Sequence, residues 1–186
     1  MAVREIIRMG HPTLRQPSRP LRDAEIASEA TAALVRDMID TLHEAGGIGL
    51  AAPQVNEPVR LAIIEIPASP SRYGDIPAMP LTVFANPEIE IVDPSRAGYW
   101  EGCLSVPGLR GFVERPQHIR VRARDLHNQP LELELQGFLA TVFQHEFDHL
   151  DGRLYIDRMD DLGKLMFEEE FMHFQEEPAA AQDDPI

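Results

Sequence analysis

The chain contains one cysteine, Cys103, and one lysine, Lys164, in 186 residues. A lone cysteine excludes any disulfide within the chain and fits a reducing compartment. Apolar runs stay far below the roughly 20 residues a membrane-crossing helix needs, so no transmembrane helix and no membrane partner are expected. The opening stretch MAVREIIRMGHPTLRQPSRP has charges throughout and no apolar segment, so no secretory signal is expected and the location implied is the cytoplasm. Cations are scarce: 17 Lys and Arg stand against 31 Asp and Glu, a net charge of −14. So acidic a surface is badly suited to displacing counterions from phosphates, and no specific nucleic-acid partner is expected.

What is present is a globular composition, 44% hydrophobic and 26% charged, at a length that suits one domain. Residues 1–177 are expected to form it, followed by a short acidic tail, 178–186, expected to be disordered. No internal repeat is visible. Residues 24–45 are good helix formers with Ile26, Ala30, Ala33, Leu34, Met38 and Leu42 at helical spacing, and Gly46-Gly47 is a natural stop. The stretches RLAIIEIP, LTVFANPEIEIVD, HIRVRARDL and PLELELQ are β-branched or alternating. The last two flank His127-Asn128-Gln129-Pro130 as a hairpin, with Leu131, Leu133 and Leu135 facing inward. Arg120, Arg122 and Arg124, at period two, suit the solvated face of a half-buried strand. Prolines between Pro67 and Pro80 mark a loop. Helical period returns over Leu139–Asp151, with Leu139, Phe143, Phe147 and Leu150 as its apolar stripe, and a further helix is expected from about Asp161 to Gln175. The fold class is α+β: mostly antiparallel sheets around a central histidine-bearing helix, with an N-terminal and a C-terminal helix.

That histidine-bearing helix reads QHEFDHLDG at 144–152. His145 and His149 stand four apart, on one helical face, and can offer imidazole nitrogens to one ion. Glu146, rotated by about 100° from His145, borders the ion rather than ligating it, where a general base belongs. Burying such groups unpaired costs on the order of 2–7 kcal/mol each; a metal offsets that cost and solvent exposure avoids it. Three sources for a third ligand are open. A metzincin would have a histidine where this chain has Tyr155. A gluzincin-like zinc peptidase would use a downstream glutamate, and Glu168–Glu169–Glu170 lie at a plausible distance, although a charge run also suits a solvated face. The third source is upstream, Cys103 in EGCLS, although a lone cysteine also suits a small buried apolar position. A metal-free hydrolase with Cys103 as nucleophile and His145 as base is a further reading.

Three separated stretches, GIGLAAPQ at 47–54, EGCLS at 101–105 and QHEFDHLDG at 144–152, resemble the motifs of the peptide deformylases, in that family's order and without a departure inside any of them. The likeness runs from Val3 to about Phe174. It implies that Cys103, His145 and His149 hold the metal with water as the fourth ligand, that Glu146 is the general acid/base, and that the Gln54 amide and the Leu104 N–H are oxyanion donors. It implies that Ile48, Gly49 and Gly102 hold the peptide like an added strand, and that the substrate is the N-formylmethionyl end of a nascent polypeptide, met in transient proximity to the ribosome. Intact Glu146 and Gln54 weigh against a non-catalytic binding protein on the same fold.

Those residues suit the chemistry. A thiolate ligand makes the ion a weaker Lewis acid than a third histidine would, so hydrogen bonds to the oxyanion gain importance. Helical spacing places Phe138, Thr141 and Val142 one and two turns before His145, as expected lining for a methionine side chain, with Tyr99. Two imidazoles and a thiolate suit zinc; the resemblance implies Fe2+, with Zn2+, Ni2+ or Co2+ acceptable in purified protein.

Overall fold

The computed structural model describes residues 2–67 and 78–176, the side chains of 174–176 excepted. The acidic tail and most of the Pro67–Pro80 loop lie outside the described residues. Among the described residues there are four α-helices and six strands: α1 Asp23–Ile26, α2 Glu29–Ala45, β1 Gly49–Ala51, β2 Leu61–Ile66, β3 Met79–Cys103, β4 Val106–Arg124, β5 Pro130–Gln136, α3 Phe138–Leu150, β6 Leu165–Phe167 and α4 Glu168–Glu176. The strands pair antiparallel in the order β1-β2-β3-β4-β5, with β6 added to β4. This is an antiparallel α+β fold.

β2 explains the layering. Its sequence LAIIEI is almost wholly buried, because Ala62, Ile64 and Ile66 pack on the α3 side while Leu61 and Ile63 pack with Met38 and Leu42 of α2. A strand covered on both faces reads as an apolar run. On the α3 side, Phe84, Phe143 and Phe147 meet edge-on with ring centroids 5.1–5.8 Å apart, the arrangement aromatic quadrupoles favour. Each such buried ring contributes about 1.5–3 kcal/mol by transfer.

The early helical region is two helices. Ser28 interrupts it, accepting the Thr31 N–H on Oγ at 3.2 Å and so capping α2. The buried face of α2 is Thr31, Val35, Met38, Thr41 and Leu42, while Ala30 is exposed; Gly46 ends the helix in the left-handed conformation, φ 66°. β3 and β4 run well beyond the expected strands, since Asp93 to Arg96 merely shift the register of the ladder instead of ending it. The hairpin between β4 and β5 forms as expected, and Arg120 and Arg122 pair on its outer face with Glu90, Glu132 and Glu134. The expected helix over Asp161–Gln175 is shorter. Leu165–Phe167 instead forms β6, opposite Leu109–Gly111, and leaves Phe167 exposed.

α3 is enclosed rather than amphipathic. From Ala140 to Leu150 every residue except Gln144 is buried. Its polar members therefore need partners inside the protein.

Candidate metal centre and active site

Three elements converge. Cys103 ends β3, His145 and His149 lie one turn apart on α3, and Gln54 lies in a 3-10 turn, Ala52–Val55, after β1. One ligand atom from each of Cys103, His145 and His149 falls within 4.8 Å of the others; Cys103 Sγ and His149 Nε2 are 3.3 Å apart. Two imidazoles and a thiol at this spacing fit a divalent cation. Burial opposes ionisation of the thiol, but the charge of His149 and hydrogen bonds from both histidines outweigh it and draw the Cys103 pKa down to about 5. The surroundings of the sulfur thus favour the thiolate, the form that binds metal ions.

His145 is oriented from behind. Its Nδ1 lies 2.7 Å from Glu101 Oε2, and Tyr155 stacks on its ring at 6.0 Å. Glu101 is in turn gripped by Arg115, Nε to Oε1 at 2.6 Å and Nη2 to Oε2 at 3.0 Å, while Arg115 Nη1 reaches Asp148 Oδ2 at 2.7 Å. Arg158 closes this chain on Asp148. Burial raises the cost of charging Glu101, yet His145 and Arg115 hold its carboxyl below the usual range. Such carboxylate–imidazole pairs fix which ring nitrogen is free to ligate.

Glu146 is treated oppositely. Burial pushes its carboxyl up, against the charges of His145 and His149, and its Oε2 is buried without a hydrogen-bond partner among the described residues. A Cβ on Gly49 would stand 2.5 Å from its Oε1. Only glycine lets the β1 backbone pass so close. Gln54, 2% exposed, accepts the Ala51 N–H on Oε1 at 2.8 Å, which turns its amide nitrogen towards Ser105 Oγ at 3.2 Å and Cys103 Sγ at 3.6 Å.

A cleft of about 280 Å³ joins these groups. Gln54, Cys103, Leu104, His145 and Glu146 line it together with Ile48, Gly49, Gly102, Arg110 and Glu168, and His149 Nε2 stands 3.3 Å from Cys103 Sγ. A second recess of about 60 Å³ opens beside it between Ile48, Trp100, Gly102, Phe138, Thr141 and Val142, and touches His145 and Glu146. Tyr99 lines neither; its ring packs edge-on against Phe138 at 5.3 Å. Its neighbour Trp100, which the sequence reading passed over, lines the recess. Glu101, Arg115, Asp148 and Tyr155 also escaped it. Glu101 and Asp148 did stand inside the quoted motifs EGCLS and QHEFDHLDG, but as neighbours of the candidate ligands. Glu168, the candidate gluzincin ligand, lies outside the three-residue cluster and pairs with Arg110, Nε to Oε1 at 3.1 Å.

A thiolate, two imidazoles and a buried carboxylate around one point, on an antiparallel α+β frame, define a metal-dependent amide hydrolase of the HExxH kind. Residues 3–165 match the polypeptide deformylase family. A peptide deformylase of Leptospira biflexa is 45% identical over 159 residues, 86% of this chain and 89% of that one. Peptide deformylase 2 of Pseudomonas syringae is 43% identical over 165 residues, 89% and 92% of the two chains. Among solved structures, a class I type b peptide deformylase of Acinetobacter baumannii with Met-Ala-Ser bound superposes with a TM-score of 0.81 at 37% identity, covering 85% of this chain and 99% of that one. The chain belongs to the polypeptide deformylase family, hydrolases that remove the N-formyl group from nascent peptides.

Proposed function

We propose that Cys103, His145 and His149 hold one divalent ion, Fe2+ in the cell, and that Glu146, Gln54 and the Leu104 N–H carry out deformylation around it. The observation that carries this reading is the convergence of the three ligand atoms within 4.8 Å beside the buried carboxylate of Glu146. A bound ion would supply Lewis acidity, bringing water within reach of ionisation near neutral pH.

The chain's own groups do the rest. Glu146 accepts a proton from water and returns it to the departing amine, so formyl amide and water give formate and a free N-terminus, a role worth roughly 10²–10⁴ in rate. The Gln54 amide and Leu104 N–H donate to the formyl oxygen as negative charge collects there, each typically worth about 2.7–4 kcal/mol. Ile48, Gly49 and Gly102 offer backbone groups to the peptide, as a neighbouring strand would. The recess between Ile48, Phe138, Thr141 and Val142 takes the methionine side chain. A formyl carbon bears only hydrogen, so a tight site accepts it and rejects acetyl.

Zn2+, Ni2+ and Co2+ suit the same ligands in purified protein, whereas Fe2+ exposes Cys103 to sulfur oxidation. Among the described residues no helix is long and apolar enough to cross a membrane; the reading places the enzyme in the cytoplasm, near ribosomes, where formylated chains emerge. Formate release from formyl-Met-Ala-Ser, measured anaerobically before and after chelation, tests the reading. Release should stop with the metal removed and return with Fe2+. Activity indifferent to chelation would instead favour Cys103 as a metal-free nucleophile.

A further inference from the structure

The C-terminal segment after residue 165 lies beyond the span matched by the family, yet it packs against Trp100, which lines the recess, and places Glu168 in the lining of the cleft. β6 pairs with β4 opposite Leu109–Gly111, which starts α4 beside Arg110. Two contacts then bind α4 to the cleft. Glu168 takes the guanidinium of Arg110, whose side chain is 6% exposed. That guanidinium occupies the place a Cβ on Gly102 would need, so Arg110 packs on Gly102 and lines the cleft beside it. One turn on, Phe171 packs against Trp100 with centroids 5.2 Å apart and an interplanar angle of 50°, and Arg110 Cζ stands 6.0 Å from the Phe171 centroid. Trp100 is held on another side by Phe112 at 5.6 Å. The indole that lines the recess is thus pinned between the sheet and α4.

We propose that Phe171 is a positioning residue for substrate selection: by fixing Trp100, α4 shapes the recess for the side chain of the formylated residue. The proposal rests on the deformylase reading for the identity of that residue. A wall whose indole is free to rotate binds a flexible methionine side chain less well, and discriminates less between it and a smaller one. Phe171 lines neither the cleft nor the recess and acts only through Trp100, so the chemical step is spared and binding is not.

Trp100 is the only tryptophan in the chain, so its emission reports directly on this contact. The test compares full-length wild type, Phe171→Ala and Phe171→Tyr, each at matched metal content. Phe171→Ala should red-shift Trp100 emission, weaken Met-Ala-Ser binding and raise KM for formyl-Met-Ala-Ser by about 2- to 10-fold, the range to which aromatic contacts convert. kcat should stay near wild type, preference for formyl-Met-Ala-Ser over formyl-Ala-Ala-Ser should narrow, and Phe171→Tyr should restore all of these. Unchanged KM and peptide preference in Phe171→Ala, whether or not its emission shifts, would overturn the proposal. So would an equal loss of kcat on every peptide, which marks a structural role only. If wild type released no formate, the deformylase reading would fall; Met-Ala-Ser affinity, which needs no turnover, would still decide whether Phe171 supports the recess.

Discussion

Glu101 and Glu146 are buried carboxylates beside the same imidazole, and their partners give them different roles. Glu101 is held ionised by His145 and Arg115, so it can orient the ring but has little tendency to take a proton. Glu146 has an oxygen without a partner among the described residues, and burial favours its protonated form, which suits a group that must accept a proton and give it back. Replacing Glu146 by Ala should leave bound metal intact and cut formate release by about 10²–10⁴. Metal content and initial rates on one preparation check this; retained activity would remove Glu146 from the mechanism. At this scale the sequence was legible where chemistry is local. His145, Glu146 and His149 share one helical turn, so spacing alone puts them together. Cys103 lies 42 residues upstream of His145, and only its resemblance to a known motif singled it out. Glu101 and Arg115 were not legible, since their meeting depends on the β3–β4 register and on how α3 docks.

Among elements, β4 carries two kinds of arginine. Arg120 lies on the outer face of the sheet among Glu90, Glu132 and Glu134, where ion pairs are solvated and typically worth about 1 kcal/mol or less. Arg115 lies inside, between Glu101 and Asp148, with side chains 4–7% exposed. Arg115→Met would leave Glu101 with His145 alone and Asp148 with Arg158 alone, and breaking the buried pair should cost about 3–5 kcal/mol, a fall in Tm of roughly 6–20 °C for a chain of this size. Arg120→Ala should cost well under half as much. Equal melting temperatures for the two variants would contradict the buried network. Alternation in HIRVRARDL announced the outer arginines, because period two is a local property. The helix expected over 161–175 went wrong for the complementary reason. Leu165–Phe167 has apolar residues that suit either state, and the open edge of β4 decides for strand. α3 misled in another way: its aromatic positions read as a stripe, yet β-strands and the Tyr155 turn enclose the polar side as well.

For the whole molecule, the net charge of −14 bears on partners. An enzyme meeting chains at the ribosome could dock through a basic C-terminal helix, but α4 opens with Glu168, Glu169 and Glu170, and the chain's one lysine lies over the Phe112 ring at 4.7 Å. Ribosome contact through residues 161–175 should be weak, and tight salt-sensitive co-sedimentation lost on deleting them would contradict this. Gln54 after β1, Cys103 at the end of β3 and the histidines of α3 meet in a cluster that no element contains alone. The most direct test of this convergence is the amount of metal bound per chain by wild type and Cys103→Ser, prepared side by side without oxygen, with formate release measured on the same samples. Wild type should carry one ion and release formate, while the serine variant, lacking the thiolate, should lose both. Metal content unchanged in Cys103→Ser would mean that sulfur is not a ligand.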